Sequence, residues 1–163
     1  MESPVPAFIG LGSNLSNPKQ QVLTAIESIK QLKNCSLKQS SSLYETPPMG
    51  PQDQPNYINA VVQINTTLKP YELLSTLQSI ENQQGRIRDT GRWGARTLDL
   101  DILLYDQLIS KDPQLILPHL GLSSRAFVLY PLVEIDKDLN IPTLGPAQQL
   151  IDKLNEAPPL IIS

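Results

Sequence analysis

Arg96-Thr97-Leu98-Asp99-Leu100-Asp101-Ile102-Leu103-Leu104-Tyr105 is the stretch from which the fold is read. Apolar and non-apolar residues alternate, which predicts a β-strand. Leu98, Leu100, Ile102 and Leu104 then share one face, and Thr97, Asp99 and Asp101 share the other. Two carboxylates project side by side from a strand whose back is buried. Like charges at that spacing are unfavourable unless a cation sits between them. Mg²⁺ suits the position, because it is commonly held by one or two carboxylates together with substrate phosphates.

Immediately upstream stand Arg86, Arg88, Arg92 and Arg96, four of the five arginines of the chain. Guanidinium groups pair with phosphate oxygens two at a time, so the cluster reads as a phosphate clamp beside a metal site. The competing reading is a solvated loop whose arginines neutralise Asp99 and Asp101.

Further upstream, residues 57–66 form a second clear strand, with Ile58, Ala60, Val62 and Ile64 on one face and Tyr57, Asn59, Gln63 and Asn65 on the other. Pro70 opens a helix with Leu73, Leu74, Leu77 and Ile80 inward, Glu81 on an exposed flank and Gly85 as C-cap. Residues 47–55 hold four prolines and form a loop rather than a helix or central strand. Loops of that length in a small domain are often lids.

At the N-terminus, residues 6–11 alternate and predict a strand ending in a tight turn at Gly12-Ser13-Asn14. The glycines lack the lysine of a P-loop and the third glycine of a dinucleotide fingerprint, so the turn is structural. Asn17 as N-cap, Pro18 at the first helical position and Gln20 as capping partner predict an amphipathic helix, with Val22, Leu23, Ile26, Ile29 and Leu32 inward. Residues 37–46 form a weakly patterned strand, and Cys35 is a structural thiol at a helix end.

The order is β-α-β-β-α-β. Its simplest closure is an α+β, ferredoxin-like antiparallel sheet with both helices on one face. Tyr57, Asn59, Asp99 and Asp101 then emerge together on the opposite, open face. Beyond Tyr105 the pattern weakens: short strands at 107–109 and 115–117, a helix at 124–130 stopping before Pro131, and another at 148–154. The only histidine, His119, falls in a turn.

With 163 residues, 40% hydrophobic and 18% charged, the chain is one globular domain spanning 1–163. A net charge of −3 argues against a nucleic-acid partner. No apolar run reaches the ~20 residues of a membrane span, the N-terminus has no signal-peptide pattern, and a lone cysteine suits a reducing compartment. The expected localisation is cytoplasmic.

Taken together, Arg92-Trp93-Gly94-Ala95-Arg96-Thr97-Leu98-Asp99-Leu100-Asp101-Ile102-Leu103, Gly12-Ser13-Asn14-Leu15, Tyr44-Glu45-Thr46-Pro47-Pro48, Gly50-Pro51-Gln52-Asp53-Gln54-Pro55 and Tyr57-Ile58-Asn59-Ala60 resemble the 6-hydroxymethyl-7,8-dihydropterin pyrophosphokinase family of the folate pathway. The likeness runs from about Ala7 to Pro131. It implies a monomer that transfers pyrophosphate from ATP to the pterin hydroxymethyl group and releases AMP. Asp99 and Asp101 would hold two Mg²⁺ ions, and Arg86 and Arg96 would act on the phosphates. Tyr57 and Phe127 would sandwich the pterin, with Asn59, Thr46 and the backbone near Pro47 and Met49 at its polar edge. Gln78, Glu81, Arg88, Trp93, Arg96, Ile102, His119 and Arg125 match nucleotide-contacting positions. The loops at 47–55 and 86–96 would close over both substrates.

Asp89, Gln114, Ile116 and Leu120 depart from the familiar bacterial pattern, which bears on ATP affinity rather than on the reaction. Three other classes compete. A ferredoxin-like RNA-binding module wants stacking rings where this strand carries carboxylates. An Asp-x-Asp glycosyltransferase demands a larger nucleotide-binding domain. A non-catalytic pterin or nucleotide binder has no use for the paired aspartates and arginines.

Overall fold

The computed structural model describes residues 3–14, 17–47, 56–84 and 98–162. The centre of the protein is β1 (Val5–Ser13), flanked on one side by β4 (Tyr57–Thr66) and on the other by β5 (Asp99–Tyr105), both antiparallel to it. On the outer side of β4 lie β2 (Cys35–Ser40) and β3 (Tyr44–Thr46), one after the other. The weak 37–46 stretch is therefore two strands. A C-terminal strand, β10 (Leu160–Ile161), adds to β3, and the sheet runs β10-β3-β4-β1-β5 with β2 also on β4.

α1 (Pro18–Lys30) and α2 (Pro70–Gln83) cover one face. Ala7, Ile9 and Leu11 of β1, Ile58 to Ile64 at period two on β4, and Leu98, Leu100 and Ile102 meet Val22, Ala25, Ile29, Leu73 and Leu77 in a continuous core. Each valine, leucine or isoleucine among them contributes about 1.5–3 kcal/mol on leaving water. Leu23 turns outward and is 42% exposed, with Ala25 taking its place in the core. Asn17 does not cap α1 with its side chain. It adopts a left-handed backbone (φ 65°), a conformation asparagine tolerates, and its carbonyl accepts from Gln21 N–H at 3.1 Å. Gln20 donates to Thr24 instead, at 3.1 Å. At α2, Pro70 is the first residue and Glu72 accepts from the Lys69 backbone N–H at 2.8 Å. The expected C-cap, Gly85, lies outside the described residues.

The opposite face is not open throughout. α3 (Ala126–Ile135) and α4 (Ala147–Lys153) pack on part of it, joining Leu129, Leu132 and Leu150 to Phe8, Val61, Leu103 and Leu104. The sheet is thus covered by helices on both sides. Leu104 was expected beside Ile102 and lies on the other face, because the register with β1 slips: Ile9 opposes Ile102 whereas Phe8 opposes Leu104. One extra residue in β5 makes a bulge and turns the strand. α3 also runs past Pro131. The proline forfeits one backbone bond, and burial of Leu129, Pro131, Leu132 and Ile135 offsets it.

The remaining strands form two small hairpins, β6 (Ser110–Asp112) with β7 (Leu115–Leu117) and β8 (Asn140–Ile141) with β9 (Gly145–Pro146). Leu108 and Ile109, expected in the first of these strands, are exposed residues of the connection between β5 and β6. Cys35 opens β2 rather than ending a helix. Its Sγ lies 3.2 Å from Thr66 Oγ1, and burial raises the thiol pKa, which suits a structural role.

Candidate active site

Where α3 and α4 leave the second sheet face uncovered there is a cleft of about 830 Å³, a size typical of small-ligand sites. Its floor is β1. Gly10 and Gly12 occupy alternate positions there, so the strand presents backbone instead of side chains. The expected turn at Gly12 is absent, since β1 continues through Ser13. A Cβ on Gly12 would sit 3.0 Å from Asn59 Oδ1, and one on Gly10 would sit 3.3 Å from Leu103.

On one side of this floor, β4 and β3 supply Tyr57, Asn59 and Thr46. Asn59 pairs with Tyr44 across the strands, and its Nδ2 donates to Thr46 Oγ1 at 3.0 Å. The bond fixes the carboxamide over Gly12. Tyr57 is held neutral: burial raises its pKa, and the charge of Asp99 raises it further. On the other side, Asp99 lies opposite Gly12 and Asp101 opposite Gly10 in the β1–β5 register. Both carboxylates line the cleft, Asp99 half-buried and Asp101 exposed.

The roof is the start of α3. Phe127 lines the cleft, and the Arg125 guanidinium lies 5.8 Å from the centre of its ring, within cation–π range. Gly121 makes room for that arginine, because a Cβ there would fall 2.5 Å from Arg125 Nε. His119 is anchored by its backbone N–H to the Leu103 carbonyl at 3.0 Å, and its Nδ1 accepts from Gly121 N–H at 3.3 Å. An accepting Nδ1 places the ring proton on Nε2.

Thr46, Pro47, Tyr57, Asn59, Asp99, Asp101, His119, Arg125 and Phe127 therefore line one cleft. Three expected nucleotide contacts do not line it. Gln78 is exposed on α2, Ile102 is in the core under the sheet, and Glu81 is buried. Glu81 corrects the expectation of an exposed flank: its Oε2 accepts from Leu100 N–H at 2.7 Å and holds the edge strand that carries both aspartates. Met49, Arg86, Arg88, Trp93 and Arg96 lie outside the described residues, as do Asp89, the whole expected loop at 86–96 and all of the loop at 47–55 except Pro47.

Several cleft residues escaped the sequence reading. Gly10 and Gly12 had a signal, their alternation in step with the strand. Leu103 and Val128 carry no signal that sets them apart from other apolar residues of a strand or helix. Residues 156–160, which also line the cleft, carried no recognisable pattern. No group of three or more histidine, cysteine or acidic side chains gathers for a metal among the described residues, and none of their helices is long and apolar enough to cross a membrane.

A family model described as 7,8-dihydro-6-hydroxymethylpterin-pyrophosphokinase matches residues 8–137. A 2-amino-4-hydroxy-6-hydroxymethyldihydropteridine pyrophosphokinase of Haemophilus influenzae is 51% identical over 138 residues, 85% of this chain and 86% of the relative. The protein of the same name from Bacillus subtilis is 44% identical over 129 residues, covering 79% and 77%. Among solved structures, a Plasmodium falciparum HPPK-DHPS with pteroate superposes with a TM-score of 0.74 at 15% identity, over 94% of this chain and 43% of that one, which is a likeness of fold. A family match over most of the chain, with identity of this order, leaves one conclusion: the chain belongs to the 7,8-dihydro-6-hydroxymethylpterin-pyrophosphokinase family.

Proposed function

We propose that the cleft binds 6-hydroxymethyl-7,8-dihydropterin beside ATP, and that the chain transfers pyrophosphate from ATP to the pterin hydroxyl in folate biosynthesis. The observation that carries this reading is the convergence on one glycine floor of two rings, an amide–hydroxyl pair and two carboxylates. Tyr57 and Phe127 line the same cleft and offer two aromatic faces on which a flat heteroaromatic ring can stack. The Asn59–Thr46 pair lies in the same wall and offers donors and acceptors to its polar edge.

In the reaction, the pterin hydroxymethyl oxygen forms a bond to the β-phosphorus of ATP. The bond from that phosphorus to the bridging α–β oxygen breaks, AMP leaves, and the hydroxyl proton is lost to solvent. Positioning and charge stabilisation dominate such transfers. Arg125 and His119 stand at the roof for the nucleotide, and we assign Arg86 and Arg96 to the phosphates on the family resemblance.

Asp99 and Asp101 fit a hard divalent cation. They are two oxygen donors on one strand face with no third protein ligand gathered among the described residues, the donor set of an Mg²⁺ site completed by substrate phosphates. When bound, Mg²⁺ neutralises phosphate charge. Asp99 and Asp101 would hold the two ions that the resemblance implies, and Glu81 holds their strand. On the family resemblance we take the working unit to be a monomer.

Product analysis tests the reading. Chain, ATP, Mg²⁺ and 6-hydroxymethyl-7,8-dihydropterin should yield AMP and pterin diphosphate in equal amounts, with none from an Asp99→Ala/Asp101→Ala control. ADP in place of AMP would refute pyrophosphoryl transfer.

A further inference from the structure

The family match ends at residue 137, yet the chain beyond it returns to the cleft. After α4 the backbone passes Glu156, Ala157, Pro158 and Pro159, all in the cleft wall, and joins the sheet as β10. Leu160 pairs with Glu45 and Ile161 with Tyr44, and Ile162 N–H donates to the Leu43 carbonyl at 2.9 Å. The tail thus runs one strand spacing, about 4.8 Å, from β3, and β3 carries Thr46 with Pro47 directly after it.

Resting on the pterin reading of this cleft, we propose that residues 156–160 form a substrate-binding wall at its pterin end and raise affinity for the pterin without acting on ATP. The tail gains little from the core, since Leu160 is 63% and Ile161 57% exposed. Hydrophobic burial therefore does not explain its ordering. Two adjacent prolines fix two φ angles and make a stiff wall at small entropic cost. Preformed walls strengthen binding by sparing the ligand the cost of ordering them. The segment meets the cleft on the β3 side, whereas the aspartates lie across the floor on β5.

The experiment compares wild type with three full-length variants. Pro158→Gly/Pro159→Gly loosens the wall, Ile162→Pro removes the N–H that fastens it to Leu43, and Ile162→Ala keeps that N–H. Calorimetry measures the Kd of 6-hydroxymethyl-7,8-dihydropterin with α,β-methylene-ATP and Mg²⁺ present, and the Kd of the ATP analogue alone. The first two variants should weaken pterin binding about three- to tenfold, the scale of unfixing one or two ordered groups. Their Kd for the ATP analogue should match wild type, and Ile162→Ala should bind both ligands as wild type does. Unchanged pterin affinity in the first two variants overturns the inference, and so does an equal loss of both ligands with a fall in Tm, which marks a structural strand only. A wild type that binds no pterin overturns the functional reading itself, and the inference with it.

Discussion

Replacing Tyr44 by phenylalanine removes one oxygen and leaves a ring that is only 4% exposed in place. That oxygen donates to Glu134 Oε1 at 2.5 Å. The same carboxylate accepts from Ser42 N–H at 3.0 and 3.1 Å and from Ser42 Oγ at 2.7 Å. Glu134 lies near the end of α3 whose first turn carries Phe127, and Tyr44 lies two residues before Thr46 on β3. The cluster thus ties the roof of the cleft to its wall.

Hydrogen bonds to charged groups contribute about 1.5–3 kcal/mol. Glu134 is exposed and keeps its Ser42 donors, so water screens part of the loss and Tyr44→Phe should cost ~1 kcal/mol. Glu134→Ala strips the acceptor from three donors, one of them the hydroxyl of a buried ring, and should cost ~2–3 kcal/mol. Urea unfolding of the two single variants and the double variant gives the coupling, expected near 1 kcal/mol. At this chain length 1 kcal/mol moves Tm by roughly 2–4 °C. Both single variants should raise the pterin KM more than they lower kcat, since the ring pair opens while the aspartates stay. Additive single variants, with coupling below ~0.3 kcal/mol, would refute the tie.

Asp99→Asn and Asp101→Asn should each lower kcat about 10²-fold or more while far-UV dichroism stays native, as read by AMP release. Gly12→Ala places a methyl group 3.0 Å from Asn59 Oδ1 and should displace the carboxamide, weakening pterin binding several-fold in calorimetry. The tie between Glu134 and Tyr44 also sets a pH dependence. Burial works to raise the Glu134 pKa, but hydrogen bonds from Tyr44 and Ser42 outweigh it and the net shift is downward from 4.5. Its contribution is therefore present above pH 4.5 and lost as pH falls through the lowered value. Burial and then Glu134 push the Tyr44 pKa above 10, so its contribution holds below pH 10 and is lost as pH rises through the raised value. The stability gap between wild type and Tyr44→Phe should stay flat from about pH 6 to 9 and shrink at both extremes in urea titrations.

β4 and the start of β5 were legible because each carries apolar residues at period two, and that pattern has one solution for a half-buried strand. The error at Leu104 shows the limit. A one-residue bulge between two leucines leaves no mark, since either face accepts either side chain. Glu81 sits at the edge of a helical stripe, and periodicity alone sends such a carboxylate to solvent. Its burial is decided by Leu100 N–H, nineteen residues away on β5, whose far side has no neighbouring strand among the described residues to take it. The tie at Glu134 joins residues 90 and 92 apart, and the tail at residues 156–160 reaches a strand over a hundred residues upstream. Contacts at that separation belong to the packing of α3 and β10, which no local pattern encodes.

The floor of the cleft is a different case, because its information was present and misread. Glycine is rare in strand interiors and common in turns, so Gly10-Leu11-Gly12 suggests a break. In β1 those glycines alternate with Ile9 and Leu11, which are buried against α1 and α2, and the alternation continues the strand pattern with one face left bare. A bare strip of backbone between a ring-bearing strand and an acidic strand is what a flat ligand needs, since any side chain there would fill its place. The 3.0 and 3.3 Å clearances at Gly12 and Gly10 make the same point from the structure. Counting glycine as a side-chain-free position within period two, rather than as an interruption of it, reads both the strand and the site from the same residues.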